Sequence, residues 1–354
     1  MFRGEKTLRS GRFAVVLLLV LGVLLSGCAI TQETAPEEGE EALPAEKKEH
    51  VIHVNHEMGA GTPVAATLER FAEMVEAKSN GRIQVEVYHT GELGSERQMY
   101  ELMESGAVQM GLSGSALIAA VAPEYGALDM PYLFASQEHL RSVVSGPVGQ
   151  ELTEKILDRK GIRVLGFMDR APRHLTTKGA RVVRQPADLK GLKIRIREIP
   201  VQVEAWRALG ASPVPMAFGE LYTALQMGTV DAQENPVEVT YGNSFQEVQD
   251  NLMLTGHVRE VQWLLISELF WKEIDEEDRN IITSAARDAL TYGDQLTEEQ
   301  ERDYINKLAE AGMNVVELGH DEISAFQEAV KDVPSKFADK WLPGLYERIV
   351  ESGS

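Results

Sequence analysis

Three cations alternate along one short segment, and their spacing is compatible with a site for an anion. Lys193, Arg195 and Arg197 are separated by Ile194 and Ile196, so in an extended strand the three cations project from one face. One interpretation is the solvated face of an edge strand, which spacing alone favours. The other is a carboxylate clamp, because a planar guanidinium grips both carboxylate oxygens at once and a lysine ammonium does not.

The segment that follows contains an aromatic residue and an Asn-Pro pair. Residues 217–228 (AFGELYTALQMG) are typical of a loop that enters a helix, and residues 229–236 (TVDAQENP) end on Asn235 and Pro236. Taken singly, Phe218 is typical of a core aromatic. Asn235 is typical of a turn in which the side chain satisfies nearby backbone amides.

The motifs of other chemistries are missing from the sequence. His53 and His56 face opposite sides of an extended strand, and neither a cysteine nor an HExxH motif accompanies them, so a zinc site is not predicted. Residues 111–115 (GLSGS) lack the final glycine of a nucleophile elbow. The sequence has no Walker loop or dinucleotide fingerprint. We therefore expect no metal and no cofactor, and an enzyme is the weakest hypothesis.

Strands and helices alternate along the chain in steps of about thirty residues, which is typical of βαβ units in an open α/β sheet. Two lobes fit this rhythm better than one. Residues 276–310 contain no proline and one glycine, Gly293, where the helix could bend. Their apolar residues keep helical spacing, which predicts one helix of about 35 residues and about 50 Å. That length exceeds a single domain of this size, so we expect the helix to cross both lobes.

Composition and the N-terminus indicate where the protein works. The 354 residues carry a formal net charge of -20, which disfavours a nucleic-acid partner. A basic start and the apolar run at 13–25 predict a secretory signal over residues 1–27. The sequence Leu25-Ser26-Gly27-Cys28 resembles a bacterial lipobox, which predicts lipidation of Cys28; a lone buried thiol is the alternative, and the position disfavours it. Residues 28–49 are glutamate-rich and predict an acidic tether.

Several spaced segments, in this order, resemble the solute-binding proteins of TRAP transporters, the DctP-like family. The resemblance extends from about His53 to Glu351. It is densest in Asp188–Arg195 (DLKGLKIR), Ala208–Phe218, Glu220–Leu225 and Asp231–Pro236, with flanking agreement in Gly91–Gly94, Pro131–Phe134 and Phe245–Gln249.

This resemblance implies an α/β, two-lobed periplasmic-binding-protein fold with a long helix crossing both lobes. It implies that Arg195 is the main carboxylate-binding arginine and Arg173 a helping one. Asn235 would hydrogen-bond the same carboxylate, and Phe218 would pack beside the ligand. We expect lobe I to comprise residues 50–172 and 261–300, and lobe II residues 173–260 and 301–354.

The sequence departs from the family pattern at Ala232, where many members have glycine, and at Arg197-Glu198, where a valine-proline pair is common. Because of these departures, the sequence does not determine which residues form the pocket rim. Glu238 is either an acceptor for ligand hydroxyls or, as we favour, a surface carboxylate. The first lobe should contribute residues from the carboxyl ends of its strands. Those are His56, Glu57 and Ser113–Ser115, with Ser115 as the candidate in a segment that is equally typical of a plain turn.

The resemblance implies an extracytoplasmic, lipid-anchored receptor that captures a small organic acid by closure of its lobes and passes it to the TRAP permease membrane subunits. The acid could be a C4-dicarboxylate, a sugar acid or a keto acid. A monomer is the usual form of the family. The alternative is a sensory lipoprotein that presents its ligand to a receptor kinase.

Overall fold

The computed structural model describes residues 49–353 of the chain. Eleven strands lie in this part: β1 (His50–Asn55), β2 (Ile83–Tyr88), β3 (Met110–Ser113), β4 (Ile162–Asp169), β5 (Arg173–Thr177), β6 (Lys193–Ile196), β7 (Ser212–Pro215), β8 (Ala232–Asn235), β9 (Asn251–Val258), β10 (Val261–Ser267) and β11 (Asn314–Glu317).

The same part contains twelve α-helices and several short 3₁₀ turns. The helices are α1 (Pro63–Lys78), α2 (Glu96–Glu104), α3 (Ala116–Val121), α4 (Gln137–Ser145), α5 (Pro147–Lys160), α6 (Pro200–Ala208), α7 (Leu221–Gln226), α8 (Val237–Gly242), α9 (Glu268–Glu273), α10 (Glu276–Glu310), α11 (His320–Val330) and α12 (Leu345–Glu351).

The first sheet has the strand order β2-β1-β3-β10-β4. β1 runs parallel to β2 and β3, whereas β10 runs antiparallel to β3 and β4. The alternation in β1 explains its orientation: Ile52 and Val54 are fully buried and pack in one core cluster with Phe71 of α1, while Val51 is exposed. Burial of such apolar side chains is the main source of stability for the sheet.

The second sheet has the strand order β11-β9-β5-β8-β6-β7. β6 pairs in parallel with β7 on one side and β8 on the other, so it is an interior strand. The interpretation that spacing alone favours, a solvated edge strand, is therefore wrong. Ile194 and Ile196 fill the core, Arg195 is also buried, and only Lys193 is exposed. Any hydrogen-bond or ion-pair partner of Arg195 must therefore lie inside the protein.

Two short connections carry the chain between the sheets. β4 of the first sheet ends at Asp169 and β5 of the second begins at Arg173; β9 ends at Val258 and β10 begins at Val261. Arg170 in one connection donates to Glu260 in the other at 2.8 Å. The two crossings are thus tied to each other by a buried ion pair.

The helix predicted over residues 276–310 is confirmed with these bounds. Asp275 caps its start, because a side-chain oxygen accepts from the backbone N–H of Asp278 at 2.8 Å. The helix packs on α1 and β4 of the first sheet and on α8 and β11. Gly293 is buried against α1, where a Cβ would lie 2.3 Å from Thr67 Oγ1. The glycine allows this close approach of the two helices.

The α/β class is thus confirmed, while the lobe boundaries stay a prediction. The signal segment, Cys28 and almost all of the acidic tether lie outside the described residues. Within residues 49–353, no helix is long and apolar enough to cross a membrane. In the same part of the chain, no group of three or more His, Cys, Asp or Glu side chains is placed to hold a metal ion.

Candidate functional site

A cavity of about 220 Å³ is lined by side chains of both sheets. Of the eight described residues for which the sequence predicted a binding role, six line it: His56, Glu57, Arg173, Arg195, Phe218 and Asn235. The cavity thus brings together residues that are up to 179 positions apart in the sequence (56 to 235). A cavity of this size suits a small molecule.

Arg195 is a buried side chain of this cavity whose hydrogen bonding is incomplete. Its residue is 2% exposed. Nε and Nη2 donate to the carbonyl oxygen of Met216 at 3.0 and 2.7 Å, and the guanidinium carbon lies 5.8 Å from the centre of the Phe218 ring. Nη1 is buried and has no hydrogen-bond partner among the described residues, and none of their carboxylates forms an ion pair with Arg195.

Burial lowers the pKa of Arg195 to about 10, and the favourable field of Glu234 does not offset it. The group is still cationic at neutral pH. A buried cation with an unused N–H donor is unfavourable until an anion pairs with it. The arrangement of Arg195 therefore suits a carboxylate.

Arg173 has a different environment, because protein acceptors occupy all of its guanidinium nitrogens. Nε and Nη2 donate to the Glu234 carboxylate at 2.5 and 2.8 Å, and Nη1 donates to Glu260 at 3.1 Å. Nη2 also donates to Asn235 Oδ1 at 2.9 Å. Burial alone would lower the pKa of Arg173, but Glu234 and Glu260 outweigh it and hold the pKa above its ordinary value.

Asn235 is held in place from two sides. Its Oδ1 accepts from Arg173, and its Nδ2 donates to Gln233 Oε1 at 2.6 Å. The residue is the last of β8 and is buried, and Pro236 then begins the approach to α8. One amide hydrogen of Nδ2 stays available for a further acceptor.

A buried carboxylate that the sequence did not single out links several of these groups. Glu260 is 3% exposed and accepts from Arg170, Arg173 and Arg197 at 2.8, 3.1 and 2.6 Å. Burial alone would raise the pKa of Glu260, but the three arginines together hold it well below its ordinary value. Glu260 is therefore ionised and neutralises part of the charge around the cavity.

The first sheet contributes His56 and Glu57, directly after β1. His56 Nε2 lies 3.0 Å from Nδ1 of His89, and burial lowers the pKa of His56 to about 3, so the ring is neutral. Glu57 Oε1 accepts from the backbone N–H of Glu96 at 2.9 Å. Burial, together with the neighbouring charge of Glu96, raises the pKa of Glu57 to about 7.

Ser115 and Glu238 are not among the residues that line the cavity. The Ser115 hydroxyl donates to Glu260 Oε2 at 2.8 Å. The favoured interpretation of Glu238 as a surface carboxylate is wrong, because the residue is 4% exposed and lies 3.8 Å from Arg170 Nε. Glu238 follows Asn235 by three positions and lies in the first turn of α8, where its side chain is buried.

Sequence reasoning missed three residues of the cavity wall, which are Glu96, Arg170 and Gln262. Arg197 also lines the cavity, and its alternation with Arg195 was the signal that placed it among the candidate cations. Arg170 and Gln262 lie at or next to the crossings between the sheets, and no local pattern marks them. Only the tertiary fold brings them to the site.

A two-sheet α/β fold whose sheets are joined by crossings, with a cavity lined by residues of both sheets and by several arginines, defines a two-lobed solute-binding protein. The model of the DctP family, "Bacterial extracellular solute-binding protein, family 7", matches residues 54–340. The chain belongs to this family.

Two kinds of comparison support this membership. A solute-binding protein of Roseobacter denitrificans is 38% identical over 263 residues, which are 74% of this chain and 79% of that protein. The structure of a TRAP periplasmic solute-binding protein from the same organism, with bound L-galactonate, covers 87% of this chain and 100% of its own, at 33% identity and a TM-score of 0.80. One from Sulfurospirillum deleyianum with bound succinate covers 86% and 99%, at 27% identity and a TM-score of 0.81. The expected family and two-lobed fold are confirmed.

Proposed function

We propose that this protein captures a small organic acid through a single carboxylate at Arg195 and delivers it to the membrane subunits of a TRAP transporter. The observation that carries this proposal is the guanidinium of Arg195, which is buried, makes no ion pair with a described residue and keeps Nη1 without a partner. A carboxylate would supply both the missing charge and the missing acceptor.

The neighbouring residues have supporting roles in this proposal. Asn235 offers its remaining amide hydrogen to the same carboxylate, while Arg173 holds Asn235 in place. Phe218 covers one side of Arg195 and packs beside the ligand. Because residues of both sheets line the cavity, a bound acid would draw the lobes together about the crossings. The permease would then distinguish the closed form from the open one, so docking and ligand binding are linked.

The test of the carboxylate site is calorimetric titration with a panel of organic acids, comparing wild type with Arg195→Ala and Arg195→Lys. Loss of the guanidinium strands a buried carboxylate, and we expect a cost of about 3–5 kcal/mol, or two to three and a half decades in affinity. Lysine should recover only part of it, because an ammonium does not bind both oxygens in a fork. Arg184→Ala is the matched control, since that arginine is 54% exposed and pairs with Glu322 on the surface. Normal affinity in Arg195→Ala would refute the proposal.

We also infer that the acid leaves chemically unchanged, as expected for a member of a solute-binding family. Incubation of the purified protein with the acids that bind, followed by mass spectrometry of the released ligand, tests this. Recovery of the unaltered acid is expected, and the accumulation of a product would contradict it.

We further propose that Cys28 carries a lipid that tethers the protein outside the cytoplasm. The support is the sequence Leu25-Ser26-Gly27-Cys28 after a basic start and an apolar run. Full-length protein should incorporate labelled palmitate and fractionate with membranes, and Cys28→Ser should do neither. Equal labelling of both forms would contradict the anchor.

A further inference from the structure

A chain of buried hydrogen bonds leads away from Asn235 into the second sheet. Asn235 Nδ2 donates to Gln233 Oε1 at 2.6 Å, and Gln233 Nε2 donates to the Thr176 hydroxyl at 2.8 Å. That hydroxyl in turn donates to Gln249 Oε1 at 2.9 Å. All four side chains are buried. Asn235 lines the cavity, whereas Gln233, Thr176 and Gln249 are not among the residues that line it.

The pairing of three strands brings these side chains together. Thr176 of β5 is the ladder partner of Gln233 of β8, and Gln233 is also the ladder partner of Arg195 of β6. Residues two apart share one face of a strand, so Gln233 and Asn235 project from the same side of β8. Gln249 lies just before β9, which pairs with β5 on its other side. The chain of hydrogen bonds therefore runs across the sheet, beginning beside the strand that carries Arg195.

The chemistry of its two ends fixes the direction of every bond in this chain. At one end Gln249 Nε2 donates to the backbone carbonyl oxygen of Val248 at 2.9 Å, and a carbonyl oxygen can only accept. Gln249 therefore presents its own side-chain oxygen to Thr176, whose hydroxyl must donate to it. At the other end Nη2 of Arg173 donates to Asn235 Oδ1 at 2.9 Å, and a guanidinium can only donate. A flip of any amide in the chain would set two donors or two acceptors against each other.

This fixed order determines what Asn235 offers to a ligand. Its Oδ1 and one hydrogen of Nδ2 are used within the chain, so the second hydrogen of Nδ2 is the donor that remains. All the bonds run in one direction from the cation of Arg173, and hydrogen bonds in such a series polarise and strengthen one another. Asn235 is thus held in one orientation with a polarised N–H group as its remaining donor.

We propose that Gln233 and Thr176 are positioning residues for ligand capture, which hold the side-chain amide of Asn235 so that its remaining N–H meets the ligand carboxylate. This inference rests on the proposed carboxylate site. Gln233 acts directly, because its Oε1 accepts from Asn235. Thr176 acts through Gln233, because its hydroxyl is the acceptor for Gln233 Nε2. Thr176 therefore influences the affinity for the ligand without touching it.

The experiment is calorimetric titration of the full chain, freed of copurified ligand by unfolding and refolding, with L-galactonate, D-erythronate, succinate and pyruvate as probes. Thr176→Val keeps the shape of the side chain and removes the hydroxyl, whereas Thr176→Ser keeps the hydroxyl. Gln233→Met removes the acceptor of Asn235 at nearly constant size. Thr240→Val is the matched control, because Thr240 is as buried as Thr176, but its hydroxyl donates to the backbone carbonyl oxygen of Pro236 at 3.2 Å, outside the chain of hydrogen bonds.

Gln233→Met should weaken binding of the tightest probe by about ten-fold, because an Asn235 amide that is less firmly held loses much of its hydrogen bond to a charged carboxylate. Thr176→Val should weaken it by about three-fold or more. Thr176→Ser and Thr240→Val should stay within about two-fold of wild type. In an Asn235→Ala background, Thr176→Val should change the affinity by less than about two-fold, because the residue through which it acts is gone. If Thr176→Val does not fold, judged by its circular dichroism, Thr176→Ala replaces it, since it differs from Thr176→Ser by the hydroxyl alone.

The outcomes separate this inference from the carboxylate site on which it rests. If no probe binds to the wild type, or if Arg195→Ala and Asn235→Ala bind normally, the site is refuted and the positioning role with it. If Asn235→Ala weakens binding but Gln233→Met and Thr176→Val bind like wild type, only the positioning role is refuted. Equal weakening by Thr176→Val and Thr176→Ser, or an undiminished effect of Thr176→Val in the Asn235→Ala background, would also overturn it, since Thr176 would then act through packing.

Discussion

Replacing Glu260 by glutamine removes one negative charge that three arginines share, two of which are buried. The Glu260 carboxylate accepts from Arg170 and Arg197 at 2.8 and 2.6 Å and from Arg173 at 3.1 Å, and Ser115 donates to it as well. Glutamine has nearly the same shape but carries no charge, and its amide group would face donors. The guanidiniums of Arg170 and Arg197 would then lose their close ion pair.

The magnitude follows from the burial of the group. Breaking a buried ion pair by removing one partner costs about 3–5 kcal/mol, because an uncompensated charge is left in the interior. The entropy of unfolding of a protein of this size converts 1 kcal/mol into about 1.5 °C. We therefore expect Glu260→Gln to lower the melting temperature by about 5–8 °C.

Differential scanning calorimetry of the ligand-free protein at pH 7 is the assay. Glu104→Gln is the matched control, since Glu104 pairs with Lys160 at 2.7 Å but is 46% exposed, and an exposed pair contributes at most about 1 kcal/mol. The pKa of Glu260 is held well below its ordinary 4.5, so its contribution is present above that pH and is lost as the pH falls through the lower, folded-state pKa. The deficit of the variant should shrink in acid. A melting temperature within about 2 °C of wild type, as in the control, would refute the reasoning.

Two further predictions concern buried groups away from the ligand. Burial raises the pKa of Glu238 from 4.5 to about 7, with Arg170 offsetting part of the shift, so the wild type should lose stability as pH rises from 4.5 to 7, and Glu238→Gln should not. Denaturant titrations should show that the free energy of unfolding of the variant, relative to that of wild type, is about 3 kcal/mol higher at pH 8 than in acid. A difference between the two proteins that stays constant across pH would contradict this. Gly293→Ala should destabilise by about 1–3 kcal/mol through overpacking against Thr67 and Met168, although alanine is the better helix former. Thermal melting compared with the exposed helix position Asn280→Ala checks it, and a more stable Gly293→Ala would show that the two helices separate without strain.

The elements of this fold that have a strong local signal could be predicted from the sequence. The 35-residue helix was predicted with its observed bounds. A stretch of this length without proline and with regular apolar spacing is compatible with few structures other than a helix. Ser95 and Gln98 have the spacing of a capping box, and in the structure the backbone N–H of Ser95 donates to Gln98 Oε1 at 2.9 Å. The position of β6 inside the sheet was not predictable, because neighbouring strands come from distant parts of the chain.

The sequence alone determined the α/β class, the long helix and, through its spaced motifs, the family and the candidates Arg195 and Asn235. Only the tertiary structure decided which charges are free. Arg173, Arg195 and Arg197 are the same residue type within twenty-five positions, yet two are paired with Glu260 and one is not. Glu260 reaches them from the opposite crossing of the chain. Whether a charged side chain is neutralised depends on its burial and on partners from distant parts of the chain, and no local sequence pattern contains that information.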